Sequence, residues 1–221
     1  MGDGRVGGTL PAVMGHVWAI VVAAGSGRRF GGAKQYEPLA GRRVLDWSLD
    51  AARTVADGVV VVVAPPHAAD DEPAADAVVS GAGTRSGSVR AGLARVPDDA
   101  EVIVVHDGAR PLADASLFAA VVEAVRAGAD AALPGVPVND TLRARAGGVV
   151  DRDGLVAVQT PQAFRAAALR RAHAGGAEGT DDASLVEAGG GMVVVVDGSP
   201  TNVKITRPAD LLVAEALLRG R

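Results

Sequence analysis

Residues 17–35 read VWAIVVAAGSGRRFGGAKQ, an apolar run that ends abruptly in a glycine-rich segment followed by cations. The run at 17–24 is nearly continuous in Val, Ala and Ile, which is typical of a strand buried in a parallel sheet. Glycines such as Gly25 and Gly27 let the backbone approach a ligand, so that N–H groups can point at phosphate oxygens. Two arginines and Lys34 follow, and such cations neutralise phosphate charge. The stretch therefore predicts a buried strand that leads into a nucleoside triphosphate site.

Apolar runs and amphipathic stretches alternate along the rest of the chain. Strands are predicted at 17–24, 58–64, 102–106, 130–136 and 192–196, and helices at 43–55, 86–96, 114–127, 163–174, 181–188 and 209–218. This order favours an α/β fold with a single Rossmann-like, mostly parallel twisted sheet and helices on both faces. Right-handed crossovers bring the loops that follow the strands to one rim. We expect the glycine-rich loop, residues 80–88 and residues 107–111 to converge there.

The alternation breaks between residues 138 and 161, where the sequence becomes polar around Gly147-Gly148. Two extended runs around a Gly-Gly turn predict a protruding β-hairpin arm at about 138–158. A hairpin is marginally stable alone, and a second copy of the chain is its simplest partner. The alternative is a mobile surface loop. We expect residues 1–15 to form a flexible tail, and residues 16–221 to form one domain.

Composition excludes several classes of function. The net charge of −4 argues against nucleic acid as a partner. The chain has no cysteine, and no apolar run approaches the roughly 18–20 residues of a membrane span. A cytoplasmic protein is the expectation. Of 22 basic residues 20 are arginine, and the two lysines, Lys34 and Lys204, both stand in motif-like segments.

The glycine-rich loop departs from two familiar nucleotide motifs. A dinucleotide-binding turn needs G-x-G-x-x-G, but Gly25 and Gly27 are followed by three residues before Gly31, and Arg29 stands inside the turn. A Walker loop needs Gly-Lys-Ser/Thr, which is absent. The remaining interpretations are a site for nucleotidyl transfer and a merely structural strand-to-helix turn.

Further motifs occur in order after this loop. They read KQY at 34–36, TRSGSV at 84–89, HDGARP at 106–111, DT at 140–141, DRxGL at 151–155, QTPQ at 159–162, TDDAS at 180–184 and NVKITRP at 202–208. Together with AAGSGxR at 23–29, this ordered set resembles the 2-C-methyl-D-erythritol 4-phosphate cytidylyltransferase family over roughly residues 17–220. The resemblance implies that a sugar-alcohol phosphate attacks the α-phosphorus of CTP and releases pyrophosphate. It also implies Mg²⁺ on the triphosphate and a homodimer formed through the arm.

The resemblance assigns roles to residues of this chain. Arg29 and Lys34 would be the catalytic cations, and we expect Arg28 to point into solvent. CTP would be bound by Ala23, Ala24, Gly25, Ser26, Gly27, Ala82, Gly83, Arg85, Ser88, Asp107 and Gly108. The second substrate would be positioned by Arg110, Asp140, Thr141, Arg152, Thr160, Thr180 and Lys204. Arg152 and Thr160 would reach the neighbouring subunit's site.

Some of these residues also have plain structural interpretations. Asp107 is a candidate for ribose, substrate or metal contact, or it caps the following turn. Residues 82–88 would contact the base, and they can also start a helix with Ser86 as N-cap. Thr206 is expected to cap the last helix, with Pro208 in its first turn. His106 is expected to pack against the sheet rather than to act in catalysis.

Two departures from the family pattern and two rival functions stay open. Gly83 stands where many relatives have an acidic residue, and Ala33 stands where the family usually has proline. Proline stiffens such a loop, so we expect a more mobile lid and weaker CTP affinity. The rivals are a cytidylyltransferase for another acceptor such as ribitol 5-phosphate, and a non-catalytic nucleotide-binding regulator. A nucleotide-dependent oxidoreductase is disfavoured because the dinucleotide fingerprint is missing.

Overall fold

The computed structural model describes residues 16–220, so the expected tail at residues 1–15 lies outside the described part. The strands are β1 Val17–Ala23, β2 Pro38–Leu39, β3 Arg42–Arg43, β4 Gly58–Val63, β5 Ala77–Ser80, β6 Val102–Asp107, β7 Ala131–Pro137, β8 Leu142–Arg143, β9 Val149–Val150, β10 Val156–Val158, β11 Gln162–Arg165 and β12 Val193–Asp197. The helices are α1 Val44–Arg53, α2 Arg85–Leu93, α3 Ala115–Arg126, α4 Ala166–Ala174, α5 Asp182–Ala188 and α6 Pro208–Arg219.

One eight-stranded sheet organises the protein. Its hydrogen-bonded order is β10-β7-β11-β6-β1-β4-β5, and β12 pairs with β7. β1 is parallel to β4 and β6, β5 is parallel to β4, and β12 is parallel to β7, whereas β10 and β11 run antiparallel to their neighbours. In this register Val22 lies beside Asp107 and Ala23 lies beside Val63. The central strands therefore end at one edge, where their loops meet.

The apolar strands explain why helices cover both faces. Because successive side chains of a strand point to opposite faces, Val59, Val61 and Val63 of β4 belong to an apolar cluster with residues of α1 and α3, while Val60 and Val62 belong to a second cluster with residues of α2, α4 and α5. β4 and β6 are buried at every residue. The predicted α/β fold with a mostly parallel sheet is confirmed.

The structure corrects three local predictions. The helix predicted at 163–174 begins at Ala166, because Gln162–Arg165 pairs antiparallel with β6 as strand β11. The pairing buries Phe164 in the core, and this tertiary contact outweighs the helical tendency of the alanines. Helix α2 is capped by the Thr84 hydroxyl, which accepts the Gly87 N–H at 3.0 Å, so Ser86 is not the N-cap.

Thr206 is also not the N-cap of α6. The helix begins after Arg207, and the Asp210 carboxylate accepts the backbone N–H groups of Thr206 and Arg207 at 2.7 and 2.8 Å. An acidic residue in the first turn thus does the capping that we assigned to the threonine hydroxyl. Pro208 opens the helix as predicted.

The predicted hairpin is present as the antiparallel pair β8 and β9, joined by a turn that contains Gly147 and Gly148. It forms a separate two-stranded sheet, and nearly all of residues 139–158 are exposed. Residues Val156–Val158 return to the main sheet as β10, beside β7. The arm therefore projects from the sheet and is anchored at its root. No helix within residues 16–220 has the length and apolar character that crossing a membrane requires.

Candidate active site

A cavity of about 580 Å³ lies at the edge where β1, β4 and β6 end. The loop after β1, the start of α2, the end of β6 and the segment before α6 form its walls. The predicted site residues that line it are Ala23, Ala24, Gly25, Ser26, Gly27, Arg29, Lys34, Ala82, Gly83, Arg85, Ser88, Asp107 and Lys204. Residues from four separate parts of the sequence thus meet around one space.

The glycine-rich loop folds tightly at Gly27. This residue has φ +63°, and its carbonyl accepts the N–H groups of Phe30 and Gly31 at 2.8 and 2.9 Å. A Cβ at Gly27 would lie 1.7 Å from the Gly32 carbonyl oxygen, so the turn requires glycine. The tight turn brings Arg28 and Arg29 to the cavity. Arg28 is exposed, as expected, but it also lines the rim.

Lys34 begins a single helical turn, Lys34–Tyr36, on the far side of this loop. Its ammonium group donates to the Ile205 carbonyl, in the segment that also carries Lys204. Burial lowers the pKa of Lys34, and the nearby charges of Lys204 and Arg29 lower it further. Burial and neighbouring cations both disfavour the charged form. Lys34 and Arg29 therefore form part of one concentrated positive region that an anionic ligand would stabilise.

Asp107 ends β6 and is 8% exposed at the cavity wall. Its carboxylate lies 2.5 Å from the Lys204 ammonium and 3.6 Å from the Arg85 guanidinium. Burial alone would raise the pKa of Asp107, but Lys204 and Arg85 hold it well below its usual value. Asp107 is therefore ionised throughout the physiological pH range. Its backbone N–H donates to the Thr160 hydroxyl at 3.0 Å.

His106 lies behind the cavity rather than in it. Its ring is fully buried and tilts against Phe118 at a centroid distance of 5.0 Å. Burial lowers its pKa to about 4, so the ring is neutral near pH 7. One ring nitrogen lies 3.2 Å from the Arg110 carbonyl and the other lies 3.2 Å from the Thr160 hydroxyl. Its observed role is packing and hydrogen bonding beneath Asp107.

Hydrogen bonds from Ser88 fix the segment before α2. Ser88 Oγ accepts the Ala82 N–H at 3.1 Å and donates to the Thr84 carbonyl at 2.9 Å. These bonds fix the backbone of residues 82–84, whose edge faces the cavity. A Cβ at Gly83 would meet no atom within 4 Å, so a larger side chain has room there. The segment can therefore offer rigid backbone groups to a ligand.

Arg85 is fixed by a buried acid that the sequence reasoning missed. Arg85 Nη1 lies 2.6 Å from Asp182 Oδ2, and Asp182 is fully buried at the start of α5. His173 Nε2 lies 3.0 Å from the other Asp182 oxygen. Asp182 belongs to the TDDAS motif, but nothing in the pattern told which of its two acids faces inward. Val22, Gln35, Thr84, Ala109 and Thr206 also line the cavity without having been predicted as site residues.

Seven predicted residues do not line this cavity: Gly108, Arg110, Asp140, Thr141, Arg152, Thr160 and Thr180. Gly108 is buried, and its N–H donates to the Val22 carbonyl at 2.9 Å. Thr160 is also buried and contacts Asp107 from behind. Arg110 is partly buried and donates to the Asn202 carbonyl at 2.7 Å. The other four are exposed: Asp140, Thr141 and Arg152 on the arm, and Thr180 before α5.

The described residues suit a magnesium ion that is bound mainly by the phosphates of a ligand. Within residues 16–220, no group of three or more His, Cys, Asp or Glu side chains could hold a metal by itself. Asp107 supplies one ionised carboxylate at the wall of the cavity. Mg²⁺ is commonly held by one or two carboxylates together with substrate phosphates and water. This donor set fits an ion that arrives with a triphosphate.

Comparison with known proteins gives a consistent result. A model of the family described as IspD, 2-C-methyl-D-erythritol 4-phosphate cytidylyltransferase, matches residues 17–220. The chain is 42% identical to the protein of that name from Parasynechococcus marenigrum, covering 91% of this chain and 97% of that protein. The structure of that enzyme from Thermus thermophilus superposes with a TM-score of 0.80 and 40% identity, covering 93% of this chain and all of that one.

Some relatives are longer. The chain is 44% identical to the "Bifunctional enzyme IspD/IspF" of Dinoroseobacter shibae, with 93% of this chain covered but only 54% of that protein. The chain thus spans little more than half the length of the bifunctional relatives that it matches.

Proposed function

The chain belongs to the 2-C-methyl-D-erythritol 4-phosphate cytidylyltransferase family, and we propose that it transfers the cytidylyl group of CTP to that sugar-alcohol phosphate. The products are 4-diphosphocytidyl-2-C-methyl-D-erythritol and pyrophosphate. One observation carries the proposal. Arg29 and Lys34 line the same cavity as the backbone of the glycine-rich loop.

In this reaction a phosphate oxygen of the acceptor attacks the α-phosphorus of CTP. A new P–O bond forms as the bond between the α-phosphorus and the β-phosphate oxygen breaks, and that electron pair leaves with pyrophosphate. Negative charge on the phosphoryl oxygens makes positioning and electrostatic stabilisation the main sources of rate. The nucleophile is already an anion, so no general base is required. This agrees with the neutral, buried state of His106.

The nucleotide site is built from one chain. The backbone of residues 23–27 wraps the triphosphate, while Arg29 and Lys34 stabilise the charge at the reacting phosphorus. Binding of a triphosphate would raise the lowered pKa of Lys34, because it adds negative charge beside a crowded cation. Ala82, Gly83 and Ser88 form the base side, where backbone groups read the cytosine edge. Mg²⁺ bound to the phosphates would supply additional charge neutralisation, with Asp107 as the adjacent carboxylate.

The acceptor site needs the arm as well as the cavity. Lys204 lines the cavity and Arg110 donates to the Asn202 carbonyl in the same segment, whereas Arg152, Asp140 and Thr141 are exposed on the arm. We assign these arm residues to the acceptor site of a second subunit. The arm also exposes apolar side chains, including Val149, which is 64% exposed, and its neighbours Val150 and Leu155. An exposed apolar patch of this kind supports a homodimer formed through the arm.

Pyrophosphate release tests the function directly. Purified protein receives Mg²⁺ and CTP, UTP, GTP or ATP, each with 2-C-methyl-D-erythritol 4-phosphate or ribitol 5-phosphate. We expect release only with CTP and the methylerythritol phosphate. If pyrophosphate is released with CTP and ribitol 5-phosphate but not with CTP and the methylerythritol phosphate, the acceptor is ribitol 5-phosphate and the proposed acceptor is wrong. CTP binding without release in any combination would favour a nucleotide-binding regulator. We place the reaction in the cytoplasm, which the absence of cysteine supports.

A further inference from the structure

Two buried amide side chains join the root of the arm to the segment that carries Lys204. Gln159 follows β10 directly, and Asn202 lies two residues before Lys204. Gln159 is 6% exposed and Asn202 is fully buried. Neither lines the cavity, and the proposed reaction assigns neither a role. We call this pair of side chains the amide latch.

The amide latch is a dense set of directional bonds. Asn202 Nδ2 donates to Gln159 Oε1 at 3.2 Å and to the Thr160 carbonyl at 2.9 Å. Gln159 Nε2 donates to the Ser199 carbonyl at 2.8 Å, and Gln159 Oε1 accepts the Ser199 N–H at 3.2 Å. Every one of these bonds connects residues 159–160 with the turn at 199–202. The turn is therefore pinned to the root of the arm.

The groups held by the latch lead directly to the acceptor side of the site. The Asn202 carbonyl accepts a bond from Arg110 Nη1 at 2.7 Å, and Arg110 Nη2 lies 3.5 Å from the Val158 carbonyl of β10. Thr160 supplies the hydroxyl that accepts the Asp107 N–H. Lys204, two residues beyond Asn202, is paired with Asp107. Arg110, Lys204 and Asp107 are therefore all linked to the root of the arm through these contacts.

The amide groups of Gln159 and Asn202 indicate that these side chains align two segments and do not merely fill space in the core. Apolar side chains of similar size would fill the same volume, but they would leave the Ser199 and Thr160 backbone groups without these partners. Buried amides specify one alignment of the two segments, because each donor faces an acceptor. A shift of about 1 Å in a substrate-positioning group can cost roughly 100-fold in rate.

We propose that Gln159 and Asn202 are positioning residues, which align Lys204, Arg110 and Asp107 for the sugar phosphate according to how the arm is seated. This inference rests on the proposed function for its kinetic consequence. It goes further in predicting that the arm acts on the site of its own chain, in addition to the side chains that it supplies to a partner. The latch does not touch the glycine-rich loop, and Asp107 is also held by the pairing of β6 with β1 and by Arg85. CTP binding should therefore change much less than binding of the sugar phosphate.

The sharpest variant is Asn202→Asp, which keeps the shape of the side chain but replaces its donor by oxygen. A carboxylate oxygen would then face Gln159 Oε1 and the Thr160 carbonyl. We expect kcat/KM for the sugar phosphate to fall roughly 10- to 100-fold, while the Kd for CTP changes less than about twofold. A merely structural defect would lower the active fraction, and hence kcat, without changing KM for one substrate selectively.

Two further variants complete the test. Gln159→Met removes the other partner without introducing charge, and it should reproduce the same selective loss even if Asn202→Asp fails to fold. Thr201→Ala is the matched control, because Thr201 lies in the same turn but is exposed, and its side chain bonds to the Ser199 hydroxyl rather than to the root of the arm. Thr201→Ala should keep the wild-type kcat/KM for the sugar phosphate and the wild-type Kd for CTP.

Hydrogen exchange makes failure of the inference distinguishable from failure of the proposed function. The Asp107 amide is bonded to Thr160 Oγ1, and the Ile205 amide is bonded to the Ala109 carbonyl. Both should exchange faster in Asn202→Asp and in Gln159→Met, whereas amides of β4 should not change. An inactive wild-type protein would overturn only the proposed reaction. Unchanged exchange at Asp107 and Ile205 in folded variants, or an equal loss for both substrates, would overturn the positioning role.

Discussion

The glycine-rich loop and the arm, the two regions that we assign to phosphate binding, differ in how they present their cations. The loop folds against its own chain, with Gly27 pressed onto Gly32 and the Lys34 ammonium bonded to the Ile205 carbonyl. The arm turns outward: β8 pairs only with β9, and Arg152 is exposed, with one bond to the Asn139 carbonyl. The loop brings its cations together around a cavity of its own chain, whereas the arm presents Arg152 on the protein surface.

This contrast indicates that the two substrates depend on the chain in different ways. Under the proposed function the nucleotide side would be complete in one subunit, because its loop, its base segment and Asp107 all line one cavity. The acceptor side would be divided, because the arm residues lie away from that cavity. Changes in the loop should therefore act on chemistry and on CTP, while changes in the arm should act on the acceptor.

The largest effect is expected from Lys34→Ala, which removes a cation from the self-contained region. Loss of one preorganised charge donor lowers kcat by about 100- to 1,000-fold. Single-turnover measurement of pyrophosphate release checks this value. Arg53→Ala is a control, since Arg53 pairs with Asp76 away from the cavity and should keep the rate. A Lys34→Ala rate within threefold of wild type would contradict the role of Lys34.

The next effect is a pH dependence that belongs to the loop and not to the arm. Only protonated Lys34 stabilises the phosphoryl charge, and its pKa is lowered below 10.5 by burial, Lys204 and Arg29. As pH rises through this pKa, kcat/KM for CTP should fall about tenfold per pH unit. Lys34→Arg keeps the charge and should move the alkaline limb upward. If the fall in kcat/KM at high pH occurs at the same pH in Lys34→Arg as in the wild type, it comes from deprotonation of a group other than Lys34.

A smaller and more selective effect is expected from Arg152→Ala on the arm. Hydrogen bonds to charged groups are worth about 1.5–3 kcal/mol, so KM for the sugar phosphate should rise roughly tenfold or more. The Kd for CTP, measured by calorimetry, should stay unchanged. Arg145→Ala gives a matched control, because Arg145 is another exposed arginine of the arm. Weakened CTP binding in Arg152→Ala would show that the division between the two regions is wrong.

The smallest effect concerns stiffness of the loop. Ala33 has φ −76°, which a proline ring can adopt. Ala33→Pro should therefore stabilise the closed loop by about 0.4–1 kcal/mol and tighten CTP binding by up to a few-fold. Ala33→Gly should weaken CTP binding. Calorimetric titration with CTP measures the Kd of both variants. Weaker CTP binding in Ala33→Pro would contradict the expected mobility of the loop.

Much of this arrangement was predictable from local pattern. The Val-rich runs predicted β1, β4 and β6 because buried parallel strands are continuously apolar, and the Gly-Gly turn marked the arm. Strand β11 was not predictable, because Gln162–Arg165 is short and its state depends on pairing with β6 and β7. The contact of Asp182 with Arg85 was equally hidden, since residues 97 positions apart meet only through the fold. The sequence motifs predicted that Arg29 and Lys34 belong to one site, and both line the cavity, but the contacts of Gln159 with Asn202 required coordinates.

Mixing two impaired variants tests whether the nucleotide side is complete in one chain while the acceptor side is completed by a second. Lys34→Ala and Arg152→Ala homodimers are each assayed at a low sugar phosphate concentration and then mixed and allowed to exchange subunits. In half of the dimers, one site would then carry both defects and the other would carry none, so activity should return to about a quarter of wild type. If subunits exchange and no activity returns, both groups serve the same chain's site, and the division of the acceptor site between two subunits is wrong.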